Sequence, residues 1–296
     1  MSGLRIVTLF LSLQLLAGYA QDARGPLNQH LPQWVTLGAG VRYRAEGHGL
    51  DQNYLLERYR LDLGINFQPW LGFFGELQDS RSAFLPHPDA GVRDRADVRQ
   101  AYLRFGRESG WWDLKAGRQL LKFGSERVIG ASEWGNTARA FDALKLGIHH
   151  GQDRVDLFSA SVVVNSTDTW DHHRDGNNLH GVYGSFGSWL PGAKVEPYLL
   201  LRTGLGNGWT YGLRTAGHAG PRWSFEAEAL GQRQSDWAVT LQLQRHFLSQ
   251  PWSPTLLGEY NFASPGLDQL YPTNHGIYGI ADQIGRRNTS NYRGGL

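Results

Sequence analysis

From Trp34 onward the chain alternates hydrophobic and polar positions one for one. Val35, Leu37, Ala39, Val41 and Tyr43 alternate with Thr36, Gly38, Gly40, Arg42 and Arg44. Tyr59, Leu61, Leu63, Ile65 and Phe67 alternate with Arg58, Arg60, Asp62, Gly64 and Asn66. The pattern returns at Trp223, Phe225, Ala227 and Ala229, against Ser224, Glu226 and Glu228, and again at Trp237, Val239, Leu241 and Leu243. A period of two assigns these runs to strands with one apolar face. Each is close to the roughly 9–11 residues that a tilted strand needs to cross a bilayer. A soluble sandwich alternates too. Here the polar face is dense in Arg, Asp, Asn and Gln, as the wall of a wet lumen is.

The N-terminus supplies a second signal. Arg5 precedes an apolar run from Ile6 to Leu16, and Gly18 and Ala20 fit a signal-peptidase site. Residues 1–20 therefore read as a signal peptide and 21–296 as one outer-membrane barrel domain. No later segment reaches 18 consecutive apolar residues, the length of a membrane-spanning helix. Turn dipeptides at Gln68-Pro69, Ser109-Gly110, Pro191-Gly192 and Gly220-Pro221 alternate with long connections over 80–94, 123–138, 165–178 and 264 to the end. Short turns on one side and long loops on the other are the habit of bacterial barrels, and the long loops are expected outside the cell. The fold class expected is all-β: a transmembrane antiparallel β-barrel of about thirteen strands. Such barrels have even strand numbers and close first strand on last. After the strand near Leu256 to Phe262 the chain reads as loop and ends Arg293-Gly294-Gly295-Leu296. The barrel is therefore expected to be incomplete, its closing strands missing and its first and last strands unpaired.

Composition agrees with this reading. The 38 glycines, 11 Trp, 12 Tyr and 13 Phe occur in a chain whose mean hydropathy is −0.42, which suits alternating strands with aromatic girdles. There is no cysteine, so no disulfide staples the fold. A net charge of +2 argues against a nucleic-acid partner.

Several segments resemble the alginate-export family of outer-membrane porins. They are Arg99-Gln100-Ala101-Tyr102, Ala116-Gly117-Arg118-Gln119, and Gly124-Ser125-Glu126-Arg127-Val128-Ile129-Gly130, followed by Trp134, Arg139-Ala140-Phe141-Asp142-Ala143 and Lys145. Tyr271-Pro272-Thr273-Asn274-His275-Gly276 with Asp282 resembles a late extracellular loop of the family. The resemblance implies a porin-class barrel of roughly 16–18 strands around an aqueous channel. It also implies residence in the bacterial outer membrane and an alginate-like polyuronate as solute.

A polyuronate carries one carboxylate per sugar, and Arg binds carboxylates bidentately. Candidate lumen residues by phase are Arg42, Arg44, Arg58, Arg60, Arg104, Lys115, Lys145, Arg202 and Arg214. Arg118, Arg127 and Arg139 join them from the family-like block. Asp62, Glu76, Glu126, Glu133 and Asp142 are candidate supporting acids. The plain alternative is that such pairs only fill and brace the lumen, which porins of any selectivity need. The stretch Asp171-His172-His173-Arg174-Asp175-Gly176-Asn177 offers oxygen ligands but lacks the spacing of an EF-hand loop, so it reads as an exposed polar loop. His149-His150 reads as a strand end, and Gly204, Gly206 and Gly208 as a turn. No metal site, cofactor or catalytic residue is expected.

The function expected is passive passage of an anionic polysaccharide. A general or small-anion porin and an adhesive or structural barrel acting through its loops are the alternatives. An enzyme is not expected, because no G-x-S-x-G elbow is present. Expected partners are the polysaccharide or another anion, outer-membrane lipid and the barrel-assembly machinery.

Overall fold

The computed structural model describes residues 28–48, 52–204, 208–233, 235–247 and 252–273. The segment read as a signal peptide, most of the glycine turn at 204–208, and the late-loop residues from 274 on lie outside them. Thirteen strands follow in chain order: β1 (Val35–His48), β2 (Gln52–Gln68), β3 (Leu71–Ala83), β4 (Asp94–Gly106), β5 (Trp112–Gln119), β6 (Phe141–His150) and β7 (Asp153–Val164). They continue with β8 (His172–Leu190), β9 (Ala193–Thr203), β10 (Gly208–His218), β11 (Trp223–Gln232), β12 (Trp237–His246) and β13 (Thr255–Ala263). They form one antiparallel sheet in which each strand pairs with its sequence neighbours. Among the described residues β1 pairs only with β2, and β13 only with β12, so the sheet is open, as expected.

The register sorts the two faces. Arg42 opposes Arg58, Arg60 opposes Gln78, Asp62 opposes Glu76, and Arg104 opposes Lys115, which opposes Lys145. Farther round, Arg214 opposes Glu196 and Glu228. The other face presents exposed Leu37, Leu61, Leu103, Leu144, Leu199, Leu213 and Leu241. Exposed aromatics edge this apolar band at both ends. Trp34, Phe67, Trp70, Trp111, Trp189 and Trp223 lie at the short-turn end, and Tyr43, Trp209, Tyr211, Trp237 and Tyr260 toward the other. An apolar band between two girdles is the lipid-facing surface of a barrel.

The connections over 84–93, 120–140 and 165–171 leave one end of the sheet, and short turns such as 69–70 and 191–192 leave the other. Two loop expectations need correction. The segment expected as a loop through 178 is strand from His172, with Val164 opposite His172 and a bulge before Asn178 opposite Ser161. The loop over 120–140 does not stand outside the barrel: it folds back onto the polar face. Its Glu133 reaches Arg60 of β2, and its Arg127, six positions earlier, reaches Glu259 of β13. Six residues span at most about 20 Å, so the sheet curls and the polar face is its concave side.

The packing explains why this loop folds in. The concave face of β6–β9 carries Phe141, Ala143, Phe158, Ala160, Leu179 and Leu200 in place of charges. Leu121, Val128 and Ile129 from the loop, together with Tyr271, cover that patch in one buried cluster. Phe123 stacks on Phe158 and Tyr183 at 5.1 and 4.7 Å. An apolar patch of this size inside a wet lumen is unfavourable unless covered. A bridge between Ile129 and Tyr271 ties the two inward segments together.

Candidate functional site

On the β1–β4 side the loop is held by arginines that donate to its backbone. Arg42 Nη1 reaches the Glu133 carbonyl at 3.1 Å and its Nη2 reaches that of Gly135 at 3.0 Å. Arg58 Nη1 binds the same two carbonyls at 3.0 and 3.1 Å. Arg44 donates to the Trp134 carbonyl and lies over the Trp134 ring. Asn136 is buried, accepts from Arg42 and reaches the carbonyls of Glu57, Arg81 and Val92. Strand residues alternate, so β1 and β2 bring Arg42, Arg44, Arg58 and Arg60 to one face. Loop residues 133–135 dock there, their carbonyls taken up by these arginines.

The Glu133 carboxylate sits at the centre of this cluster. It accepts from Arg60 Nη2 at 2.9 Å and from Arg99, with Lys122 at 3.7 Å. Burial pushes its pKa up, but Arg99, Arg60, Lys122 and Arg58 together outweigh burial and hold it at about 2. Glu76 takes Arg99, Arg60 at 3.4 Å and the Gln100 amide at 2.9 Å. Among the described residues five cations (Arg44, Arg58, Arg60, Arg99, Lys122) thus share Glu133, Glu76 and Glu46, with Asp62 beside Glu76 on the same face.

The opposite wall has another character. Arg214 bridges Glu196 and Glu226, and Arg127 bridges Glu226 and Glu259. Tyr198 donates to Glu228 at 2.8 Å. Arg202 pairs with Asp268. Among these described residues five acids (Glu196, Glu226, Glu228, Glu259 and Asp268) meet three bases (Arg127, Arg202 and Arg214).

The family description for alginate export matches residues 33–293. The chain belongs to that family. No curated protein matches it significantly. Family and fold together make it an outer-membrane transport barrel of the alginate-export type.

Within this alginate-export barrel the sequence-predicted residues fall into three groups. Arg58, Arg60, Arg104, Lys115, Lys145, Arg202 and Arg214 lie on the concave face. Of these, Lys115 is paired to Glu108 at 2.5 Å and Lys145 to Asp156 at 3.8 Å, while Arg104 donates to Asn66 at 3.0 Å. Asp62 and Glu76 share that face. The second group is Arg127 and Arg139, which reach the interior from the loop rather than from a strand. Arg139 donates to the carbonyls of Gly130, Tyr271 and Pro272 and so ties the two inward segments together. Burial lowers its pKa to about 10.

Three residues depart from expectation. Arg118 opposes Ala101 and Asp142, in the outward series with Ala116 and Leu144, and it is locked to Asp142 at 2.8 Å. Counting in twos from Lys115 puts position 118 on the lipid side, and Asp142 goes with it. Among the described residues Glu126 makes no salt bridge. Its Oε2 accepts from the Ala131 amide at 3.1 Å and from Thr273 Oγ1 at 2.7 Å, which fixes the loop. Residues not singled out from the sequence include Arg99, Asn136, Glu196, Glu228 and Glu259. Arg99 escapes the count because the β3–β4 register shifts between Glu76 and Leu77, and the bulge turns Arg99 inward.

Proposed function

We propose that the concave face is a passive pathway for an anionic, alginate-like polysaccharide, with its carboxylates met by the basic wall of β1–β4. The observation that carries this reading is the excess of cations around Glu133 and Glu76. Guanidinium groups on strands are held in place by the sheet, so they can exchange loop carbonyls for sugar carboxylates without new ordering. The acidic wall of β9–β13 repels the polymer toward the basic side. Inward folding of 120–140 makes that loop the constriction, and passage of a polymer requires its displacement.

A second reading, a small-anion porin, is favoured by the same loop, because it narrows the path. Planar-bilayer conductance with polyuronate oligomers of graded length separates the two. Length-dependent, voltage-dependent block from the side of entry supports the polysaccharide pathway. Chloride conductance indifferent to every oligomer supports the small-anion reading and removes the first.

A further inference from the structure

At the loop end of the barrel three carboxylates converge from segments far apart in sequence. Asp94 and Asp97 come from β4, and Asp171 from the connection leading into β8; one oxygen of each lies within 4.8 Å of the others. Among the described residues none of the three makes a salt bridge. Asp97 accepts from the Asp171 and Val98 amides, each at 2.5 Å. Asp171 accepts from the Ser166 amide at 2.8 Å. Asp94 is the exception: it is 3% exposed, and its Oδ1 has no hydrogen-bond partner. Its other oxygen accepts from the Asn165 amide at 3.3 Å, and the Asp94 and Asp171 carboxyls lie within hydrogen-bond reach of each other. A cavity of about 10 Å³ lies against these groups, lined also by Asn165, Thr137 and Arg99. That is room for about one water-sized occupant. The nearby cations are committed elsewhere. Arg99 is bound to Glu76 and Glu133, and Arg118 is bound to Asp142 and the Val98 and Asp171 carbonyls.

A buried carboxylate oxygen without a donor, beside two more carboxylates, is costly unless a cation joins it. We propose that Asp94, Asp97 and Asp171 bind a divalent cation of calcium type, with the Asn165 amide oxygen, after a flip of that side chain, as a further ligand. Calcium takes six to eight oxygen ligands at about 2.3–2.6 Å in a flexible geometry, which suits carboxylates brought together from separate segments. Magnesium demands near-ideal octahedral geometry and keeps several waters, for which a cavity of about 10 Å³ has little room. The ion ties the start of β4, and with it the loop over 84–93, to the connection over 165–171. It thus acts as a clasp on the rim beside the inward-folded loop.

The test uses the full chain folded in detergent, stripped with EDTA, and titrated with terbium as a luminescent stand-in for calcium. Trp170 adjoins Asp171 and is the expected sensitiser. Sensitised luminescence should rise with terbium and fall on adding calcium, and calcium should raise the temperature at which the folded band is lost on a gel. Asp97→Asn and Asp171→Asn should weaken calcium at least about tenfold, since affinity follows ligand charge. Trp170→Phe should lower the luminescence and leave the calcium-induced thermal shift intact. Absence of any calcium effect on the unmutated chain overturns the proposal. So does a calcium effect unchanged in both aspartate variants.

Discussion

Replacing Glu133 by Gln removes one negative charge where Arg58, Arg60, Arg99 and Lys122 meet. The carboxylate accepts two charge-assisted hydrogen bonds, from Arg60 and Arg99. A hydrogen bond to a charged group contributes about 1.5–3 kcal/mol. The Glu133 side chain is 33% exposed, so the lower figure applies to each, about 3 kcal/mol for both. The amide oxygen of Gln retains part of this, and the net loss is about 2 kcal/mol. The loop stays anchored through its carbonyls to Arg42, Arg44 and Arg58, so the change acts on an equilibrium and does not abolish the fold. At about 1.4 kcal/mol per tenfold, the displaced fraction rises roughly 30-fold. Single-channel recordings should show large-conductance openings more frequent by about that factor, and the reversal potential in a salt gradient should move toward anions. Gating statistics and reversal potential identical to those of the unmutated chain would refute the assignment of 120–140 as the constriction.

Four further outcomes follow from the same geometry. Glu133 is held at about 2, below its ordinary value of 4.5; its contribution is therefore present above about pH 4.5 and lost as pH falls toward 2, so openings should grow more frequent across that window and not between pH 6 and 8. Arg104→Glu leaves the loop untouched, because among the described residues Arg104 donates to Asn66 and the Gly106 carbonyl and not to 120–140; it should shift selectivity toward cations, more strongly at low salt, without changing gating. A Cβ at Gly212 would lie 2.3 Å from the Tyr198 ring, so Gly212→Val should cost about 1–3 kcal/mol and lower the unfolding temperature of the folded band on a gel. In intact cells, cysteines placed in 84–93 should react with an impermeant label while one at buried Ile129 should not; equal labelling would mean that the long loop stands outside the barrel.

Much of the fold is legible in the sequence because each amphipathic strand announces its own faces. The thirteen strands, their antiparallel order and the turns at 69–70 and 191–192 follow from period two and turn chemistry. The interior is less legible because it depends on pairs of elements. Phe158 and Leu200 look like ordinary strand residues until the register puts both on the concave side, where a cover is required. The cover, Leu121 to Ile129, has no period of its own. Arg99 and Arg118 sit in adjacent motifs and are turned opposite ways, one by a bulge and one by plain parity. A bulge adds one residue and inverts every later count, so phase alone cannot carry an assignment across it.

The inward loop joins two properties that a simple barrel keeps apart. Arg127 binds Glu226 and Glu259 on β11 and β13, and Glu133 binds Arg60 and Arg99 on β2 and β4. One short segment thus cross-links the late strands to the early ones, and on the proposed pathway the same segment obstructs passage. These links join side chains and are no backbone ladder, so they set the spacing of β1 and β13 without satisfying the edge groups of either strand. Releasing Glu133 from Arg60 and Arg99 therefore breaks the cross-link, while Arg127 keeps its partners Glu226 and Glu259. On the proposed pathway a polyanion entering along β1–β4 would replace Glu133 as the partner of Arg60 and Arg99 but would offer nothing to Glu226 and Glu259. On this reasoning the loop swings about its Arg127 end, which stays bound to the acidic wall, and the basic wall opens first.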